Sequence, residues 1–201
     1  MNIFTKFQEL SERYSTGRNI ILLFIPWLIV GLTLLLYVIP EIRSCSNGLE
    51  IFDLRSNGYS AEEAKVLLES LGEEGRNVYL YKYVPLDMAF ILIYLPLWSL
   101  ILAFLFKKGF KPESRIHYFV VIPLFLALFD FLENTGVAIM LSIFPSFSSS
   151  LAGLAGILTV IKNYLATFFY VLVLIGIIGW IIKRVRVHKA NNLISTSHKG
   201  G

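Results

Sequence analysis

A single cysteine, Cys45, stands in 201 residues. That excludes an internal disulfide and a metal cluster of thiolates, and leaves a loop thiol without a partner in the chain. Histidine is scarce too. His117, His188 and His198 fall at or near stretches rich in lysine and arginine, far from the polar positions discussed below. This argues against a zinc site of histidine and carboxylate ligands. No G-x-S-x-G elbow, H-E-x-x-H pair or phosphate-cradling glycine loop occurs. Ser146, Ser148, Ser149 and Ser150 have no base near them in sequence and read as a turn. Charged residues make up only 16% of the chain, against about 25% in ordinary soluble domains. No metal and no cofactor is expected. The net charge of +4 is spread in a way that fits topology and not a nucleic-acid footprint.

Long apolar runs take the place of what is missing. The chain is 56% hydrophobic with mean hydropathy +0.68. Four runs stand out, at about 19–39, 85–106, 117–143 and 151–182. Each reaches the roughly 20 residues needed to cross a hydrocarbon core of about 30 Å. Backbone groups in lipid must bond within their own segment, so the runs are expected to be helices. The fold class is therefore all-α: a four-helix transmembrane bundle forming one membrane domain over 1–189, with a polar, disordered cytoplasmic tail at 190–201. Residues 1–18 lack the pattern of a cleavable signal, because the apolar run behind them is long and no A-x-A-like site follows. The first span is expected to be retained.

Charge placement gives the orientation. Lys6, Arg13 and Arg18 precede the first span. Lys107, Lys108, Lys111 and Arg115 fill the second connection, and Lys183, Arg184, Arg186, Lys189 and Lys199 follow the last span. The connection at 144–150 has no charge, and the long one at 41–84 carries five basic residues against eight acidic ones. The positive-inside rule then places both termini and the second connection in the cytoplasm. The bacterial inner membrane fits this pattern best, and the endoplasmic reticulum or plasma membrane of a eukaryote fits it as well.

The outer connection at 41–84 is too long for a simple turn. Ser60, followed three residues later by Glu63, forms a capping-box pattern. Ala64, Leu67, Leu68 and Leu71 follow at helical spacing, and Gly72 suits a helix stop. A short amphipathic helix is expected at about 61–71, laying its leucine face on the bundle or in the outer interface. If the next stretch is helical, Arg76, Tyr79, Leu80, Tyr83 and Asp87 share one stripe. Pro85 either starts the second span or kinks a helix running into it. Gly153, Gly156, Gly176 and Gly179 of the fourth span provide small surfaces for close packing.

Four ionisable residues lie inside the apolar runs: Asp87, Asp130, Glu133 and Lys162. A charge at the bilayer centre costs roughly 2.5–3.5 kcal/mol on insertion scales, so such residues usually face a bundle interior and mark a site. At 1.5 Å rise per residue, Asp87 lies about 30 Å from Lys107. Asp130 and Glu133 lie about 22 and 27 Å from Arg115, and Lys162 about 31 Å from Lys183. All four therefore share the outer third. Asp130, Glu133 and Asn134 occupy one helix face by i, i+3, i+4 spacing, and Thr159, Lys162 and Asn163 another. The two faces are expected to meet through a Lys162–carboxylate pair. Arg76 descending onto Asp87 would offset part of the remaining negative charge. Two carboxylates at i, i+3 in a low dielectric repel, so one of Asp130 and Glu133 is expected to hold a proton.

Two segments resemble a known pattern. Leu71-Gly72-Glu73-Glu74-Gly75-Arg76-Asn77-Val78-Tyr79, followed by Asp87, resembles a motif of small bacterial four-span integral membrane proteins without assigned function. Phe129-Asp130-Phe131-Leu132-Glu133-Asn134 resembles their third-span motif. The resemblance implies the four-span fold and no activity. The architecture is also similar to that of the emopamil-binding and sigma-2 receptor group, four-span proteins that bind sterol-like or cationic amphiphilic ligands through intramembrane carboxylates. Their motifs do not match residue by residue, and the intramembrane histidine of their isomerase members is missing here.

The expected site is a polar pocket opening to the outer leaflet under the loop helix. Asp87, Asp130, Glu133, Asn134, Thr159, Lys162 and Asn163 would form its walls, and Arg76, Tyr79 and Tyr83 its rim. The first functional expectation is binding, with acid–base conversion as an extension, of a lipid-like or amphiphilic molecule; Glu133 or Asp130 would be the proton-active catalytic candidate. The second is a transporter or channel subunit coupled to protons or cations. The third is an assembly partner of another membrane protein or of a second copy. Membrane lipids are the expected surroundings in every case.

Overall fold

The computed structural model describes residues 2–197, with side chains to Lys189. Among the described residues the chain is helical without strands. Six helices form it: α1 (Ile3–Tyr14), α2 (Gly17–Cys45), α3 (Ala61–Ser70), α4 (Gly72–Gly109), α5 (Arg115–Ile143) and α6 (Ser149–Ser197). Four of them, α2, α4, α5 and α6, are long and apolar enough to cross a membrane. The expected segment 190–201 falls on the last part of α6, where side chains lie outside the described residues, and on 198–201, which lie outside them altogether.

Each long helix exceeds its apolar run, because polar first and last turns continue the hydrogen-bond ladder beyond the apolar stretch. The difference is largest in α4, which begins at Gly72, well before the run at 85. Gly72 takes φ +61°, a left-handed conformation that glycine adopts without strain. It breaks α3 from α4 and leaves the two helices consecutive. Pro85 does not start α4; the helix runs into it through a π turn at Tyr79–Tyr83. A second π turn, Leu34–Val38 in α2, stands in the same relation to Pro40. Proline removes an N–H donor and its ring crowds the carbonyl four residues back, and the wider turn relieves that conflict.

Helix α4 is central and packs against α2, α5 and α6. Helix α2 is peripheral, held on α4 by contacts such as Trp27 stacking on Phe90 at 6.0 Å. Helix α1 was not expected from the sequence. Ile3, Phe7, Leu10 and Tyr14 repeat at helical spacing along it, and Phe4 stacks on Phe125 at 5.7 Å. Its end is fastened to the basic end of the bundle, where Lys107 Nζ donates to the Glu12 carbonyl at 2.9 Å and Glu12 meets His117 Nδ1 at 3.1 Å.

The leucine face of α3 lies on the bundle as the spacing predicts: Ala64, Leu67 and Leu68 are fully buried. The capping box is present in both directions. Glu63 N–H donates to Ser60 Oγ at 3.1 Å, and Ser60 N–H donates to Glu63 Oε2 at 2.7 Å. That second bond holds the exposed Glu63 carboxyl below its usual range. Its contribution is therefore complete at neutral pH and is lost as pH falls through the lowered value. Ser60→Ala is expected to cost about 1 kcal/mol, read as a lower thermal midpoint in detergent; an unchanged midpoint would show that the cap is idle.

Between α2 and α3 runs a strap, residues 46–60, carrying a short 3-10 turn at Phe52–Leu54. Ile51 and Phe52 are fully buried and pin the strap to the bundle. It crosses α6 at a point where only glycine fits. A Cβ on Gly156 would collide with the Tyr59 backbone, and one on Gly58, at φ +75°, would meet the Gly156 carbonyl at 2.6 Å. Gly176 and Gly179 let α6 approach Leu105 and Phe110 of the α4 end, whereas Gly153 faces open space.

Candidate functional site

Lys162 of α6 is the hub of a buried polar cluster. Its Nζ lies 2.5 Å from Glu133 Oε2, 2.9 Å from Asp53 Oδ1 and 3.2 Å from Asp130 Oδ1. The expected contact between the polar faces of α5 and α6 is therefore formed. Helices joined by a short turn pack antiparallel, which brings Glu133 and Lys162 to one height. Hydroxyl groups serve the other carboxylate oxygens. Thr159 donates to Glu133 Oε1 at 2.7 Å, Tyr94 to Asp130 Oδ2 at 2.8 Å and Tyr79 to Asp53 Oδ2 at 3.3 Å. Beside them, Asn134 Nδ2 donates to Asp87 Oδ2 at 2.5 Å. Glu133, Asn134 and Thr159 have no exposed surface, and Asp87, Asp130 and Lys162 have at most 8%.

Four expected members sit elsewhere. Arg76 does not descend onto Asp87. It donates to the Leu68 carbonyl at 2.8 Å and lies over the Phe144 ring at 4.4 Å. Eleven residues of helix separate the two by about 16 Å, beyond the reach of the side chains, and the π turn between them adds a residue worth about 100° of rotation. Tyr79 and Tyr83 are not at a rim but inside, 0% and 3% exposed, with their rings 5.0 Å apart edge to face. Asn163 lies at the margin, where Nδ2 donates to the Ser56 carbonyl of the strap at 3.5 Å. The pocket itself is closed, because the strap fills the place where an opening was expected. Two shallow grooves of about 330 and 400 Å³ flank the strap along α6.

Asp53 is the member that sequence reasoning missed. It belongs to a loop of mixed charge and carries no periodic signal. The signal present was local: Ile51, Phe52 and Leu54 surround it with apolar side chains, an unusual setting for a solvated carboxylate. Tyr94, two helical turns beyond Asp87 in α4, was not among the expected residues, yet it reaches Asp130. Tyr59 was not singled out either. It is 7% exposed, and burial, followed by the charges of Glu133 and Asp53, keeps its phenol protonated far above the usual range.

The arrangement has a clear chemical character. Three carboxylates share one ammonium, and each of their six oxygens is met by that ammonium or by a hydroxyl. Breaking such a buried set by removing one partner is costly. The strap supplies one of the three carboxylates, so the cluster also fastens the strap. Comparison with protein-family models, with characterised proteins and with solved structures found no match.

Proposed function

We propose that the chain is a multi-pass membrane protein with both termini in the cytoplasm, and that its Lys162 cluster binds the polar head of an amphiphilic molecule when the strap lifts. The observation that carries this reading is Asp53. A carboxylate on the strap sits against a lysine that α5 already pairs with Asp130 and Glu133. Lifting the strap withdraws Asp53 and opens that lysine and those carboxylates toward the grooves along α6. The carboxylates still outnumber the ammonium, which favours a head that is cationic or rich in hydrogen-bond donors. The apolar flanks of α6 beside the grooves suit the tail. Orientation rests on the basic residues at the α1–Lys107 end and at the end of α6.

A transporter coupled to protons or cations would use the same carboxylates. It needs a route to the basic end, and that half is filled by Leu102, Ala103, Phe106, Phe169 and Leu172, all buried. Binding is the simpler reading.

The test is mass spectrometry of small molecules that copurify with wild type, Glu133→Gln and Asp53→Asn. Wild type is expected to retain an amphiphile above the lipid background. Glu133→Gln should lose it. Asp53→Asn, with a weaker strap contact, should retain at least as much. No enriched species in any of the three would overturn the reading and direct the search to protein partners.

A further inference from the structure

We propose that Asp53, Asp130 and Glu133 form a site for a hard divalent cation of the calcium, magnesium or manganese class, in which the Lys162 ammonium is a built-in competitor for the same position. This goes beyond the amphiphile reading and does not depend on it.

The first ground is convergence. One oxygen from each of the three carboxylates lies within 4.8 Å of the others. They already close on a single point, the Lys162 nitrogen, at 2.5 to 3.2 Å. Oxygen shells around calcium have radii of about 2.3–2.6 Å, so small inward movements convert one coordination into the other. The second ground is charge. Three carboxylates share one ammonium, and a divalent cation in its place brings one more positive charge to the same three carboxylates.

The third ground is independent of the acids. The Tyr59 hydroxyl is buried beside Thr159 and makes no hydrogen bond of ordinary length and angle among the described residues. Tyr59 is 7% exposed and is held among Asp53, Glu133, Thr159 and Lys162. A buried hydroxyl so poorly satisfied is destabilising, and a cation or its bound water would use the free lone pair. The donor set is oxygen throughout, which selects hard cations over zinc or copper. Asp87, which accepts from Asn134 next to Glu133 in α5, is a further buried carboxylate that the displaced ammonium can approach. The strap provides the route, since lifting Asp53 opens the cradle to the surface.

The competitor makes the site weak, with a Kd of about 10⁻⁴ to 10⁻³ M, and gives the test its signature. Full-length protein in detergent is treated with EDTA and titrated with Mn²⁺, followed by the EPR signal of the free ion. Wild type is expected to bind one ion per chain, displaced by Ca²⁺ or Mg²⁺. Glu133→Gln and Asp53→Asn should weaken binding by about tenfold or more, whereas Lys162→Met should tighten it by about tenfold or more. Tyr59→Phe, a variant that leaves the packing intact, should weaken binding without lowering the metal-free thermal midpoint. If Lys162→Met folds only when Mn²⁺ is present, that too is the expected direction. Absence of saturable binding in wild type, or Lys162→Met folded and binding no more tightly than wild type, overturns the proposal. The two readings part at Asp53: Asp53→Asn keeps an amphiphile and loses the ion.

Discussion

Lys162→Met lowers the stability of the metal-free protein by about 3–5 kcal/mol, the expected cost of removing one partner from a buried charge set. Lys162 is the one ammonium among Asp53, Asp130 and Glu133, and methionine fills its volume without its charge. The three carboxylates then face one another with hydroxyl donors alone. Lys65 gives the contrast. It pairs with Glu69 one helical turn away at 3.7 Å, with both side chains more than half exposed, and Lys65→Met should change stability by less than about 0.5 kcal/mol. Thermal or denaturant unfolding in detergent reads both. The double variant Lys162→Met with Glu133→Gln should recover part of the loss, because one uncompensated carboxylate is gone. A Lys162→Met protein as stable as wild type would mean that the cluster is not an ionised set.

Gly156→Ala should be nearly as damaging, for a steric reason. The new Cβ would run into the Tyr59 backbone, which cannot rotate away as a side chain does. Overpacking of this kind costs about 1–3 kcal/mol. Beyond that cost, the strap must rise from α6, and Asp53 moves with it. Protease cleavage within residues 46–60 should therefore become much faster than in wild type. Gly153→Ala, one turn earlier and facing open space, should stabilise the helix by up to about 1 kcal/mol and leave cleavage unchanged. Equal cleavage of the two variants would show that the glycine contact does not seat the strap.

What the sequence made legible followed from periodicity and charge. The four long helices, the leucine face of α3 and its capping box could all be read from spacing, and so could the meeting of Glu133 with Lys162. Each depends on the helical repeat, which is local and regular. The missing parts depended on the path of a loop. Asp53 reaches Lys162 across more than a hundred residues of sequence, through a strap whose course is fixed by buried Ile51 and Phe52 and by the Gly58–Gly156 contact. None of these has a period. Tyr79 and Tyr83 were placed on the correct helix but at the wrong depth, since α3 and the strap cover what would otherwise be a rim. Helix α1 was overlooked because its basic residues had been assigned to orientation alone, while its apolar face carried the second message.

The π turn at Tyr79–Tyr83 also makes this segment a matter of count and not only of composition. Tyr81, 71% exposed in its middle, touches nothing that the cluster needs, so its identity is free. Its presence is not. Removing that one residue would let α4 close into an ordinary helix before Pro85 and would turn Arg76 and the start of the helix by about 100° relative to Asp87. The ring pair Tyr79–Tyr83 would leave the interior, and with it the hydroxyl that holds Asp53. Substitution and deletion at the same position thus have opposite consequences. Among natural variants of this chain, the length between Gly72 and Asp87 should be held constant even where the letters drift.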